Sequence, residues 1–368
     1  MSIKTAYSTK QTAEEAIIEI KKGFAGIHPK MVVFFASSIF DQQGISRGIK
    51  KTFSNAQVFG CSTAGEIVSG KILKNSIVAM AFDEDTISDV NVEVAQNIKE
   101  GTGIRDIFNN FGQYYSVPAK RMSPNEYVGM ILIDGLSLAE EKIMDTVGDL
   151  TNVVFVGGSA GDDLKFSATH VYANGQTYTN AAVLALIKPA VGFDFIKTQS
   201  FRALDKRLTA TKVNEYSREI MEFNNRPAAE TYAEALNTTP DDLGDLFMHN
   251  PVGLLIGDDI YVRSPQQTKG NNVAFYCAIK EGMELALLES TNIVNDTRAS
   301  VEEKRKGNGN ISGIINFHCI LRTLDLEQQG LTEEYGKIFS DIPTIGFSTY
   351  GEEYLGHINQ TSTMLVFK

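Results

Sequence analysis

Three short stretches of the sequence combine a hydroxyl side chain, a glycine and an acid, which are residue types that ligand-contacting turns use. They span residues 58–67, 154–163 and 344–353, and in each an apolar run precedes Ser or Thr, one further residue, Gly and an acid. Hydroxyls and carboxylates form hydrogen bonds, and glycine allows close backbone approach. We therefore predict one ligand site assembled from several turns. Its candidate residues are Ser62, Thr63, Gly65, Glu66, Ser159, Gly161, Asp162, Thr349, Gly351 and Glu352.

The acids of these turns, Glu66, Asp162 and Glu352, have two interpretations. A carboxylate after a glycine can accept backbone N–H groups and so fix its own loop. Alternatively it contacts a ligand. If all three turns converge, the like charges repel one another unless a cation or an amine lies between them. This second interpretation indicates an amino-group or cationic ligand.

Arg322 follows a predicted strand at residues 311–317. The carboxyl ends of strands are where open α/β sheets present ligand contacts. An arginine there can bind a carboxylate through two parallel hydrogen bonds. A salt bridge at the edge of a helix explains the same residue equally well, and the sequence leaves both interpretations open.

Two residues suggest hydrolysis, and neither pattern is complete. Residues 157–161 match G-x-S-x-G around Ser159, but a nucleophile elbow needs a helix directly after the serine. Here the following residues predict a β-hairpin with its turn at Asn174-Gly175. Cys319 has no His/Asn partner pattern. We therefore predict a protein that is not an enzyme, with a hydrolase acting through Ser159 or Cys319 as the least favoured alternative.

Composition excludes several classes of protein. The 368 residues are 43% hydrophobic and 21% charged, as in soluble globular proteins, and the formal net charge of −11 argues against nucleic-acid binding. No apolar run approaches the length that crosses a membrane, so we expect no direct membrane insertion. Three widely spaced cysteines are typical of reduced cytoplasmic thiols. The five histidines show no metal-ligand spacing, although a single axial haem ligand remains open.

Alternating helices and short apolar runs predict an α/β fold (α+β mixed sheets) with two domains. Each of the three turns lies within a repeated unit of helix, strand, helix, strand, turn and strand, and precedes the last strand of that unit. The predicted strands include residues 31–35 and 128–133, and one predicted helix spans 324–338. The break between domains lies near residues 210–225. This gives a first domain at 1–215 with two copies and a second at 216–368 with the third.

The ordered motifs resemble those of the FIST family over nearly the full chain. Gly60–Glu66, Gly157–Asp163 and Asn174-Gly175 are similar to the FIST N domain. Cys319-x-x-Arg322 and Gly346–Glu352 are similar to the FIST C domain, as is Asn359-Gln360-Thr361 before the last strand. In one departure from the pattern, Ile358 stands where the family usually has histidine, and His357 precedes it.

The resemblance implies a cytoplasmic sensory module of signal transduction that binds an amino acid or similar small metabolite between its two halves. Asn359 then joins the candidate ligand-binding residues, and no cofactor is expected. Relatives are allied with histidine kinases, cyclic-dinucleotide enzymes or chemotaxis proteins, so such a protein is the expected partner. Some relatives are haem-based nitric-oxide sensors. If this chain binds haem, the axial candidates are His318 and His357.

Overall fold

The computed structural model describes residues 2–101 and 103–368. The fold is α/β with mixed sheets, as the alternation of apolar runs predicts. Contacts divide the chain into two compact units. The first comprises residues 1–197, 298–357 and 362–368, and the second comprises residues 198–297 and 358–361.

The first unit begins with two stretches of alternating strands and helices. In the first stretch these are β1 (Ile3–Ser8), α1 (Ala13–Gly23), β2 (Met31–Ser37), α2 (Gln42–Thr52), β3 (Gln57–Thr63), β4 (Glu66–Val68), β5 (Lys71–Leu73) and β6 (Ile77–Phe82). In the second they are β7 (Ile87–Gln96), α3 (Ile104–Tyr114), β8 (Val128–Ile133), α4 (Glu140–Leu150), β9 (Phe155–Ser159), β10 (Val171–Ala173), β11 (Gln176–Tyr178) and β12 (Ala181–Pro189). Short 3-10 helices lie at Ile98–Glu100 and Ala119–Arg121.

The remaining elements run from the second unit back into the first. After β13 (Phe193–Gln199) come β14 (Phe201–Asn214), β15 (Glu219–Phe223), β16 (Arg226–Pro227), α5 (Ala228–Leu236), α6 (Leu243–Leu246), β17 (Val252–Ile256), β18 (Asp259–Arg263), β19 (Pro265–Lys269), β20 (Asn272–Phe275) and β21 (Glu284–Ser290). The last stretch holds α7 (Ile293–Asn308), β22 (Gly313–Cys319), α8 (Ile320–Gln329), α9 (Thr332–Lys337), β23 (Thr344–Thr349), β24 (Glu352–Tyr354), β25 (His357–Ile358) and β26 (Thr361–Phe367).

Three six-stranded sheets share one strand order. Sheet 1 runs β1-β6-β2-β3-β10-β11, sheet 2 runs β7-β12-β8-β9-β24-β25, and sheet 3 runs β13-β26-β22-β23-β4-β5. Each sheet has one central parallel pair, formed by β2 with β3, β8 with β9, and β22 with β23. Each sheet is completed by a hairpin that another stretch of the chain supplies. Each turn that precedes a hairpin therefore connects a central strand of one sheet to a hairpin of a neighbouring sheet.

The three sheets of the first unit face one common apolar core. Alternate residues of each central strand point into it, including Met31, Val33 and Phe35 from β2, Val128, Met130 and Leu132 from β8, and Ile315 and Phe317 from β22. The opposite faces of sheets 1 and 2 are covered by helices, α1 and α2 on one and α3 and α4 on the other. Burial on both faces explains why these strands read as continuous hydrophobic runs.

The second unit is built on a separate sheet with the order β18-β17-β21-β14-β15-β20-β19, to which β16 adds beside β15. Its core packs α5 against the sheet through Phe223, Tyr232 and Phe247, whose rings are in contact. This division by contacts does not follow the predicted boundary at 215/216, because residues 298–357 belong to the same unit as the amino-terminal stretches.

Two details differ from the sequence prediction. The helix predicted at 324–338 is two helices, α8 and α9, because Gly330 adopts a left-handed conformation (φ 70°) that ends α8. Each predicted turn is also followed by a two-stranded hairpin, which the sequence predicted only after the second turn, at Asn174-Gly175. These hairpin strands are two or three residues long, too short for a periodic signal. The duplication itself stays a prediction.

Candidate functional site

The three turns of the sequence pattern meet in the first unit. Backbone hydrogen bonds join them pairwise, from Gly161 N to Ser62 O (3.0 Å), from Ser348 N to Gly65 O (2.8 Å) and from Ser159 N to Gly351 O (2.8 Å). We call this region, residues 62–66, 159–163 and 348–352, the three-turn junction. It forms because each hairpin crosses to a neighbouring sheet immediately after its turn. The sequence analysis considered the case in which all three turns converge, and in the structure they do lie together.

Glycine is required at two positions of the junction for steric reasons. A Cβ atom on Gly161 would lie 2.8 Å from the backbone nitrogen of Ala64, and one on Gly351 would lie 2.1 Å from Cε1 of His357. Both distances are shorter than real Cβ contacts. The two glycines therefore permit the close packing of turns rather than leaving open space.

Glu66 and Glu352 make the same local contact. Thr63 Oγ1 donates to Glu66 Oε1, and Thr349 Oγ1 donates to Glu352 Oε1, each three residues along the chain. Glu66 Oε2 also accepts from the backbone and hydroxyl of Ser76, at 3.1 and 2.6 Å. Burial raises the pKa of Glu66 to about 8, although these hydrogen bonds oppose the rise. At neutral pH Glu66 is thus protonated, and it adds no negative charge to the junction.

Asp162 is ionised and fixes its own loop. Its carboxylate accepts from the backbone N–H groups of Phe166 (2.9 Å), Ser167 (2.6 Å) and Ala168 (3.0 Å), and from the Tyr350 hydroxyl (2.6 Å). Burial alone would raise the pKa of Asp162, but the hydrogen bonds from Tyr350 and the backbone hold it below its ordinary value. The loop-fixing interpretation therefore has direct geometric support at this acid.

Ser159 contacts two carboxylates. Its hydroxyl lies 3.3 Å from Glu140 Oε1 and 3.4 Å from Glu353 Oε1, and Glu353 Oε1 lies 2.9 Å from His357 Nδ1. A Ser–His–acid triad places the imidazole on the hydroxyl and the acid behind it. Here the acid lies between the two, and no helix follows Ser159 directly. The arrangement at Ser159 is therefore not that of an activated nucleophile.

His357 and Glu353 form a buried pair, with side chains 1% and 0% exposed. Burial alone would lower the pKa of His357, but the Glu353 carboxylate and, more weakly, Glu141 and Glu140 raise it to about 9. Because the folded-state pKa lies above the ordinary value of 6.5, the stabilisation from this shift is present below pH 6.5. It is lost as the pH rises through 9.

Replacing Glu353 by glutamine should therefore lower the pKa of His357 from about 9 towards 6.5, since the strongest source of the rise is removed. The measurement is a titration of the imidazole signals by NMR. His28 is exposed and lies outside this pair, so it serves as the internal control. A His357 signal that still titrates near pH 9 in Glu353→Gln would contradict the pairing.

Arg322 lies in the first turn of α8, immediately after β22, and is only 2% exposed. It forms a hydrogen bond with the Tyr335 hydroxyl. Tyr335 also contacts His318 Nδ1 at 2.9 Å and Asn316 Nδ2 at 3.2 Å, and Asn316 accepts from Ser362 at 2.7 Å. This group of five side chains, which we call the arginine network, lies wholly in the first unit.

Two members of the arginine network are held neutral. Burial lowers the pKa of His318 well below its ordinary value, and the positive charge of Arg322 lowers it further. Burial also raises the pKa of Tyr335, against the influence of Arg322. The side chains of His318 and Tyr335 are therefore uncharged, and the positive guanidinium of Arg322 lies at the amino-terminal end of α8. Both features favour an anion.

The two haem candidates are packed against protein atoms. The His318 ring lies 4.6 Å from the Tyr335 ring, and the His357 ring lies against Gly351. An axial ligand needs a ring nitrogen that faces a porphyrin-sized apolar space. Neither imidazole fits that requirement in this structure, so we derive no chemistry through haem. Cys319 is buried directly before α8, and none of the three cysteines is in a disulfide.

Asn359 falls in the second unit, where it is buried and its Oδ1 atom has no hydrogen-bond partner among the described residues. The other candidate ligand-binding residues lie in the first unit.

Two further acids, Asp163 and Glu353, were not among the predicted site residues, although each directly follows a predicted one. Asp163 Oδ2 accepts from Ser37 Oγ and Ser38 N, both at 2.9 Å, whereas Glu353 pairs with His357. The doublets Asp162-Asp163 and Glu352-Glu353 were visible in the sequence. Glu352 and Glu353 are neighbours in β24, and neighbouring residues of a strand point in opposite directions. That signal could have identified Glu353, whereas Asp163 lies in a loop, where strand alternation does not apply.

The fold and site define a class: an α/β protein that buries acidic and basic groups at the carboxyl ends of parallel strands. Within residues 2–101 and 103–368, no helix combines the length and apolar character that a membrane span needs. In the same ranges, no cluster of three or more His, Cys, Asp or Glu side chains is placed to hold a metal ion.

The FIST N domain matches residues 30–226 and the FIST C domain matches residues 228–354. The chain belongs to the FIST family, which confirms the resemblance seen in its motifs. FIST domains are sensor domains of signalling proteins. The chain is also similar to the uncharacterized protein MJ1623 of Methanocaldococcus jannaschii, with 24% identity over 307 residues. That match covers 75% of this chain and 57% of the relative's length.

Proposed function

We propose that this protein is a non-enzymatic sensor whose ligand is an amino acid or a similar small carboxylate. The observation that carries the proposal is the arginine network, in which a buried guanidinium interacts with two side chains that are held neutral. A ligand carboxylate would accept two parallel hydrogen bonds from Arg322. The amino-terminal end of α8 would add favourable backbone dipoles.

The hydroxyl groups of the junction support recognition of a polar ligand. Ser62, Thr63, Ser159 and Thr349 are all buried, and each already forms a hydrogen bond to protein. We propose that ligand binding exchanges part of these bonds for bonds to the ligand. The contacts of Ser159 with two carboxylates, and not with an imidazole, support binding over hydrolysis at this position.

We further propose that the sensor acts through a protein partner of the kind allied with the family, namely a histidine kinase, a cyclic-dinucleotide enzyme or a chemotaxis protein. Cytoplasmic location belongs to the same proposal. The three cysteines support it, because buried thiols outside disulfides suit a reducing compartment.

The test is a thermal-shift screen of the twenty common amino acids and small dicarboxylates, together with native mass spectrometry of the purified protein. A ligand at a hundredfold excess over Kd adds about 2.7 kcal/mol to the free energy of unfolding. We expect one compound class to raise the melting temperature, and Arg322→Lys to weaken its binding at least about tenfold, because lysine keeps the charge but loses the planar fork.

The matched control is Arg305→Lys, which changes a partly exposed arginine of α7 that pairs with Asp341 at 2.6 Å. It should bind as the wild-type protein does. Equal affinity of Arg322→Lys and wild type would remove Arg322 from the site. If no compound stabilises the protein and no small molecule is retained during purification, the sensor proposal fails.

A further inference from the structure

Residues 161–170 form a loop without helix or strand, and both of its ends are fastened to Ser62. At the first end, Gly161 N donates to Ser62 O (3.0 Å) and Ser62 Oγ donates to Gly161 O (2.7 Å). At the second, Ser62 N donates to His170 O (2.8 Å) and His170 N donates to Ser62 Oγ (2.9 Å). We call this loop the strap. Ser62 thus acts as a clasp that closes it.

Polar contacts hold the middle of the strap. The Tyr350 hydroxyl donates to Asp162 Oδ1 (2.6 Å) and accepts from Leu164 N (2.9 Å). Asp163 binds the end of β2 through Ser37 and Ser38, and its own N–H donates to Thr63 O (3.0 Å). The strap therefore lies directly over Ser62 and Thr63, and both of those residues are fully buried.

The strap stores backbone strain and buries little apolar surface. Leu164 and Phe166 have φ values of 62° and 49°, a left-handed conformation that costs such residues about 1–2 kcal/mol each. Leu164 and Phe166 are 40% and 57% exposed, so their side chains add little burial in return. Segments with few buried apolar contacts open at a lower free energy than the whole fold.

We propose that the strap is a gate, which opens around its contacts with Ser62 and Tyr350 and admits the ligand to the three-turn junction. The gate rests on the proposed function, because it regulates access to that site. Ser62 and Thr63 cannot meet a ligand while the strap is closed over them. Opening breaks hydrogen bonds, but it relieves the left-handed strain and moves no part of the common core.

Limited proteolysis of the full chain tests the opening directly. Trypsin cleaves after Lys165 and chymotrypsin after Phe166, and cleavage reports the open population when reclosing is fast. Tyr350→Phe keeps the ring that stacks on Phe166 at 5.1 Å but removes the hydroxyl bonds. We expect strap cleavage to accelerate about tenfold, as the loss of about 1.4 kcal/mol would produce, while cleavage elsewhere stays at the wild-type rate.

Tyr114→Phe is the matched control, because the Tyr114 hydroxyl also donates to an aspartate, Asp89, at 3.0 Å and lies outside the strap. It should leave strap cleavage unchanged. Ser62→Ala is a second test variant, because it removes the hydroxyl that bonds to both ends of the strap. It should also accelerate strap cleavage. The gate is overturned if Tyr350→Phe and Ser62→Ala are cleaved at the wild-type rate, or if their cleavage rises equally over the whole chain.

A mixture of the twenty common amino acids separates the two proposals. If the mixture raises the melting temperature and slows strap cleavage, the strap regulates access to the ligand site. If it raises the melting temperature but leaves strap cleavage unchanged, the ligand-sensor proposal is supported and the gate proposal is overturned. If the melting temperature does not move, the proposed ligand class fails, whereas local opening of the strap is still decided by the Tyr350→Phe result.

Discussion

Replacing Glu66 by glutamine is expected to remove a fall in stability that the wild-type protein shows between about pH 4.5 and 8. The folded-state pKa of Glu66 is about 8 and its ordinary value is 4.5, so the folded protein holds this proton more tightly than the unfolded chain does. The stabilisation is fully present below pH 4.5 and is lost as the pH rises through 8. Each pH unit in that window costs about 1.4 kcal/mol, which amounts to several kcal/mol at pH 8.

The measurement is urea unfolding of wild type and Glu66→Gln at pH 5, 6, 7 and 8. Glutamine can accept from Ser76 and donate to Thr63, so the local contacts survive. The exposed Glu302→Gln, on α7, is the control and should follow the wild-type curve. His357 also loses stabilisation above pH 6.5, but it does so in both proteins and cancels in their difference. Parallel curves for wild type and Glu66→Gln would show that Glu66 is ionised in the fold.

Gly157→Ala is expected to cause the largest loss of stability among the glycine variants of sheet 2. Gly157 on β9 lies beside Ile131 on β8, and an added Cβ would lie 1.7 Å from the Ile131 carbonyl oxygen. The neighbour is backbone, so relief requires the two parallel strands to separate. We expect a cost of at least about 3 kcal/mol, since forced overpacking of a buried position strains the surrounding backbone.

The control for that variant is Gly148→Ala in α4, the helix that packs on the same sheet. Nothing lies within 4 Å of the Cβ position there, and alanine in place of a helical glycine stabilises by about 0.5–1 kcal/mol. Thermal melts followed by circular dichroism compare the two. Equal melting temperatures for Gly157→Ala and Gly148→Ala would contradict the packing described for β8 and β9.

The sequence predicts the buried strands well because their signal is local. Residues 128–133 form a continuous apolar run, and β8 occupies the same six residues. The break within residues 324–338 was also encoded locally, by Gly330, but the apolar pattern on either side obscured it. The hairpin strands β4 and β24 carry acids at buried positions, so hydrophobic pattern alone could not reveal them.

The contacts of the candidate site were less predictable, because their partners are far apart in sequence. The Thr63–Glu66 contact spans three residues, and the motif contains both of its ends. The bond between Ser62 and Gly161 spans 99 residues, and that between Tyr350 and Asp162 spans 188. The chemical types at the junction could therefore be predicted, but the assignment of each polar atom to a partner could not.

The hairpin that completes sheet 3 has a consequence for synthesis on the ribosome. Glu66 on β4 pairs with Phe347 on β23. During synthesis, β4 therefore has no partner on this side until a strand about 280 residues later emerges from the ribosome. At 5–20 residues per second, that wait lasts roughly 15–55 s. During this interval β4 and β5 have an unpaired edge, which is a template for wrong pairing with other chains. A nascent chain of this protein therefore exposes that edge until β23 has emerged.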